Sequence, residues 1–123
     1  MRIFTNKSFT RFAEIADLDD AVLRKAVADA ERGLIDAQLG GGVIKQRVAR
    51  PGQGKSSGFR TIILYKAHRL AFFVHGFAKK DQDNIGRNEL AALKLLASQM
   101  LSYDDQEIAE AVKSGALIEV SAK

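Results

Sequence analysis

Lys45 with Arg47, Arg60, and the run His75, Phe77, Lys79 and Lys80 are the side chains of this sequence best suited to chemistry. Residues 45 and 47, and residues 75, 77 and 79, are spaced by two, the interval that puts side chains on one face of a strand. Cations so placed neutralise and orient an anion, an imidazole moves a proton, and an aromatic ring offers a base a surface to stack on. The charge around them is segregated. Between residues 37 and 80 stand nine lysines and arginines and no aspartate or glutamate, while the rest of the chain holds ten basic and fifteen acidic side chains. A net charge of only +4 therefore conceals a one-signed segment, which attracts a polyanion and neutralises its phosphates. Nucleic acid is the ligand this pattern points to.

Arg60 is the sharpest of these residues. It lies in FRTIILY, a stretch apolar on both faces and so expected at the centre of a sheet. A guanidinium there is costly to desolvate unless it meets an anion, either a phosphate held bidentately or a carboxylate from a distant helix. Lys45 and Arg47 alternate with Ile44 and Val48, so the two cations share the face opposite the apolar pair, as a binding surface or as a solvated one. Phe77 is either a stacking platform or core, and His75 either a proton-transfer group or a packed ring. His68 is expected in a turn, exposed and inert. Lys55 sits in GQGKS, which lacks the glycine spacing and following helix of a nucleotide-binding loop, and reads instead as a basic finger. No histidine lies near an acidic cluster, so no metal site is expected.

These residues need elements to position them. Residues 2–5 alternate and suit a short first strand. Helical periodicity covers residues 8–16 and 19–30, with a tight link at 16–18, which makes a helical hairpin; residues 34–39 extend the second helix by a turn. Gly33 leaves a second possibility, that the helix ends there and no turn is added. Three glycines, Gly40, Gly41 and Gly42, break the chain. Strands are then expected over 43–50, 59–66 and 69–77, joined by the glycine- and serine-rich 51–58 and a tight turn at 67–68, and paired antiparallel. Helical spacing returns after Gly86 through Met100 and again from about Ser102 to Gly115, with a short last strand at 117–120. The fold class is α+β: an N-terminal helical hairpin packed on a small antiparallel sheet, with C-terminal helices.

At 123 residues, 46% hydrophobic and 28% charged, the chain fits one domain spanning 1–123 with its own core. It has no cysteine, hence no disulfide or thiolate chemistry. The first residues lack the apolar run of a signal peptide, and no segment is long and apolar enough to span a bilayer, so a cytoplasmic protein without membrane partners is expected.

Lys45-x-Arg47, then Ser57-Gly58-Phe59-Arg60 opening an apolar strand, then Gly76-Phe77-Ala78-Lys79-Lys80-Asp81 closing the next, resemble the RelE/HigB toxins of bacterial type II toxin–antitoxin modules. The stretch GRNELAALKLLA is similar to a RelE subgroup with a longer helical end. The resemblance implies a microbial-ribonuclease-like fold and a ribosome-dependent endoribonuclease that cuts mRNA. It implies Lys45, Arg47, Arg60, Lys79 and Lys80 as the catalytic cations, with Arg60 on the phosphate, and Lys55, His75 and Phe77 as substrate contacts. No metal or other cofactor is implied. The implied partners are mRNA, the ribosome and a cognate antitoxin from an adjacent gene. Relatives that carry a tyrosine or histidine just after the last basic residues have no counterpart in residues 82–87, which leaves His75 the one imidazole in reach. Two other readings stay open: a nucleic-acid-binding module without catalysis, and a ParE-like gyrase inhibitor.

Overall fold

A computed structural model describes residues 1–49, 58–79 and 85–122. The elements run β1 (Arg2–Asn6), α1 (Lys7–Ala16), α2 (Asp20–Glu31), β2 (Ala37–Gly40), β3 (Val43–Val48), β4 (Phe59–Lys66), β5 (Leu70–Ala78), α3 (Arg87–Met100), α4 (Asp105–Ser114) and β6 (Leu117–Glu119). The six strands form one sheet in the order β2-β3-β4-β5-β1-β6. The helical hairpin α1–α2 covers one face and α3–α4 the other, each over its own apolar cluster.

Two expectations about the architecture need correction. The helical hairpin is not the N-terminal element, because β1 precedes it and lies inside the sheet between β5 and β6. Nor is the sheet small and antiparallel: β1 runs parallel to β5, with Arg2 opposite Leu70 and Thr5 opposite Phe73. Strand direction is readable from sequence where a tight turn joins two strands, and no turn joins these. Of the two possibilities at Gly33, the helix ends and residues 34–39 add no turn to it. Helix α2 stops at Glu31, Gly33 follows with φ +82°, and Ala37–Gly40 form the edge strand β2. Gly40, Gly41 and Gly42, all at positive φ, then turn the chain into β3, a path that side chains with a Cβ resist.

The local signals act as their chemistry requires. Asn6 caps α1, Asp19 caps α2, and Asp104 forms a capping box with Glu107 at the start of α4. Gly115, at φ +84°, ends α4 in the left-handed conformation. Strand β4 occupies the expected residues and is central, with β3 and β5 antiparallel on either side.

Two glycines fix how closely the layers approach. A Cβ on Gly76 would lie 2.4 Å from the Phe12 ring, which packs edge-on against Phe59 at 5.4 Å. A Cβ on Gly58 would lie 1.9 Å from the Val48 carbonyl oxygen, so only glycine lets β3 and β4 close at that end. Strand β5 also carries an irregularity. Ile62 faces His75 while Ile63 faces Phe73, which leaves Val74 as an extra residue. The bulge changes the phase of β5: Phe73 belongs to the α1–α2 core, whereas Phe77 belongs to the α3–α4 side.

Candidate nucleic-acid interface

The register of the three central strands assembles the site. Arg47 lies opposite Arg60, and Arg60 opposite Phe77, in one rung across β3, β4 and β5. The next rung is Lys45, Ile62 and His75. Alternation puts both rungs on the α3–α4 face. The rung beyond, Val43 and Leu64, is buried in the core of that face. With strands about 4.8 Å apart and same-face neighbours nearly 7 Å apart, Lys45, Arg47, Arg60 and His75 share a patch on the order of 10 Å across. Arg60 and Arg47, on separate strands, are thus direct neighbours.

Burial sorts these residues. Arg47 is exposed, Lys45 half-buried, and Arg60 only 9% exposed. Arg60 Nη1 and His75 Nε2 are buried polar atoms without a hydrogen-bond partner, and no carboxylate among the described residues pairs with Arg60. A buried guanidinium nitrogen so placed has given up water with nothing in return, the condition that an incoming anion relieves. His75 and Phe77 stack at a tilt with centroids 5.5 Å apart, and Phe77 is buried. Lys79 is exposed just past the end of β5. Lys55 and Lys80 lie outside the described residues.

Sequence reasoning missed two residues. Asp36, one position before the acid-free segment, reaches into it: its carboxylate accepts from the Arg47 backbone N–H and lies 3.3 Å from Arg47 Nε. Gln46, buried on the opposite face of β3, holds the chain around Asp36. The available signal was Ile44-x-Gln46-x-Val48, which places a polar side chain on an apolar face where its hydrogen bonds must be met by protein.

The other end of β4 looks different. Tyr65 donates its hydroxyl hydrogen bond to Glu31, whose carboxylate also accepts from the His68 backbone N–H at 3.1 and 3.2 Å. Burial and this bond push the Tyr65 hydroxyl up to about 12. Glu31 is held below the usual carboxylate range; burial pushes it upward, but the Tyr65 and His68 bonds and the His68 charge outweigh that. The His68 side chain is exposed, as expected, with Nδ1 3.5 Å from Glu31. A cavity of about 470 Å³ opens beside this cluster, and none of the site residues expected from sequence lines it.

Among the described residues, no group of His, Cys, Asp or Glu is arranged to hold a metal ion, and no helix is long and apolar enough to cross a membrane. Fold and site are those of an α+β protein with a cationic sheet end, where among the described residues the Asp36 carboxylate stands at Arg47 beside Lys45 and Arg60. A family model described as the RelE toxin of the RelE / RelB toxin–antitoxin system matches residues 1–120, and the chain belongs to that family. Comparison with individual curated proteins gives no match. A toxin of this family has an antitoxin as its partner.

Proposed function

We propose that this toxin, acting as one domain over residues 1–123, is a metal-independent endoribonuclease of microbial-ribonuclease-like fold that cuts mRNA on the ribosome in the cytoplasm. The observation that carries the reading is the Arg47–Arg60 rung, with Arg60 buried and its Nη1 unpartnered. RNA supplies its own nucleophile, so the protein needs neither a metal nor a reactive side chain of its own. Lys45 takes the proton from the 2′-hydroxyl, whose oxygen attacks the adjacent phosphorus. Arg60 and Arg47 hold the negative charge that gathers on the phosphorane oxygens. The P–O5′ bond then breaks and the leaving oxygen takes a proton from Lys79, Lys80 or His75. The products are a 2′,3′-cyclic phosphate and a 5′-hydroxyl.

Lys45 stands one rung from the Arg47–Arg60 pair on the same face of the sheet, which suits it to the base role. Phe77 forms the floor beneath the phosphate, and Lys55 adds a backbone contact. The antitoxin, encoded next door, binds through an acidic segment that folds onto the toxin, either over Arg60 or on the helices, where its bulk keeps the toxin off the ribosome.

The test is Arg60→Ala. The folded variant is expected to lose growth arrest on expression, with a rate loss on the order of 10²–10³. Undiminished arrest by folded Arg60→Ala would remove Arg60 from the reading. One observation favours a binding module without catalysis instead: His75 Nε2 is buried, so the described imidazole nearest the site presents no exposed Nε2 to a substrate. Sequencing of RNA 5′ ends separates the two, since a module that only binds leaves no new ends.

A further inference from the structure

We propose that Gln46 and Asp36 are positioning residues for Arg47: Gln46 pins the chain that carries Asp36, and the Asp36 carboxylate aims the arginine. The inference rests on the reading of Arg47 as a site cation. It starts from a mismatch in length. Strand β2 pairs with β3 only as far as Ala37 opposite Lys45, so the Arg47 backbone N–H lies beyond the last β2 residue. The Asp36 side chain stands in for the missing strand by accepting from that N–H. The same carboxylate reaches Arg47 Nε at 3.3 Å, a two-point grip that leaves the terminal guanidinium nitrogens without a partner among the described residues.

Asp36 would be a poor anchor unless it were itself held. It belongs to an irregular segment after α2, and Gln46 fixes that segment. The Gln46 amide donates to the carbonyls of Ala26 in α2 and of Leu34, both at 3.0 Å, and accepts from the Asp36 N–H at 2.9 Å. At 3% exposure, all three bonds are made inside the protein. Gln46 and Arg47 point to opposite faces of one strand, so the link passes through the sheet by way of Asp36. There is also an electrostatic reason for the carboxylate. Arg47 and Arg60 are directly opposite, where like charges repel, and Asp36 beside Arg47 offsets this.

A residue that orients a catalytic cation and a residue that merely stabilises the fold give different kinetics. Asp36→Asn removes the negative charge that faces Arg47 Nε and is expected to stay folded, with a Tm within a few degrees of wild type. Single-turnover cleavage of mRNA on programmed ribosomes is expected to slow about tenfold or more, since small displacements of a positioned group carry losses of that size. Affinity for a short single-stranded RNA, read by fluorescence anisotropy, is expected to rise severalfold, because one negative charge has left the binding face. In an Arg47→Ala background, Asp36→Asn is expected to slow cleavage no further, the non-additivity of groups that act through one another. Gln46→Met, where it folds, is expected to reproduce the slower cleavage without the tighter binding. Additive losses in the double variant, or wild-type cleavage by Asp36→Asn, would overturn the proposal. Folded Arg60→Ala run alongside keeps the failures apart. If it is inactive while Asp36→Asn cleaves normally, only the positioning role falls; if it cleaves normally, the reading of the whole site falls.

Discussion

The two ends of β4 are built to opposite rules. At the Tyr65 end, a carboxylate, a hydroxyl and a turn N–H satisfy one another, and the side chains between them are fixed by those bonds. Seventeen or so ångströms away along the strand, at about 3.3 Å per residue, the Arg60 end gathers cations around a buried guanidinium nitrogen and an imidazole nitrogen that bond to nothing described. The first arrangement stabilises the fold in isolation. The second costs stability until a ligand arrives, and polar groups left unpaired inside a protein mark the places where function has overruled packing.

The largest expected difference between the two ends lies in activity. Arg60→Ala is expected to lower mRNA cleavage by about 10²–10³ while Tm stays within a few degrees of wild type, because its buried Nη1 has no partner among the described residues to leave behind. The converse is expected of Tyr65→Phe, with cleavage unchanged and stability reduced by about 1–2 kcal/mol through loss of a bond to a charged acceptor. If both variants moved Tm and cleavage together, the contrast between the ends would be broken.

Salt gives the next largest effect. If Lys45, Arg47, Arg60 and Lys79 each meet a phosphate, the logarithm of affinity for single-stranded RNA is expected to fall with the logarithm of salt at a slope of about −3. Between 50 and 200 mM salt this weakens binding roughly fiftyfold. A filter-binding titration across that range measures the slope, and a flat response would show that the cationic end is not the contact.

Smaller effects are expected in stability alone. Gly76→Ala drives a methyl group into the Phe12 ring and is expected to cost about 1–3 kcal/mol, a Tm lower by several degrees in a thermal melt. The depressed Glu31 carboxyl gives a pH signature. Because its folded value lies below its unfolded one, its contribution is full above the unfolded value, about 4.3. That contribution is lost as pH falls through the folded value. Glu119, lowered by its hydrogen bond to Arg2, acts with the same sign. Melts from pH 3 to 7 are expected to show Tm falling toward acid, with Glu31→Gln flattening part of that limb.

How far the sequence revealed this molecule follows from the range of each interaction. Strand β4, the helical starts at Asp19 and Asp104 and the stop at Gly115 depend on near neighbours, so their residues announce them. The cationic character of the site was legible for the same reason, since period-two spacing aligns Lys45 with Arg47 and His75 with Phe77. The parallel pairing of β1 with β5 and the bulge at Val74 depend on partners far away in the chain. Strand β2 is four residues long, too short for its alternation to outweigh a helical reading. Asp36 lay just outside the acid-free segment, and its approach to Arg47 exists only once β2 folds back beside β3.

The most direct test of the central claim is the chemistry of the RNA ends. Cells expressing the wild-type chain without its antitoxin are expected to accumulate mRNA fragments with 5′-hydroxyl ends and 2′,3′-cyclic phosphates, and cells expressing folded Arg60→Ala are expected to show none above background. Growth arrest by the wild-type chain with mRNA left intact would contradict the account.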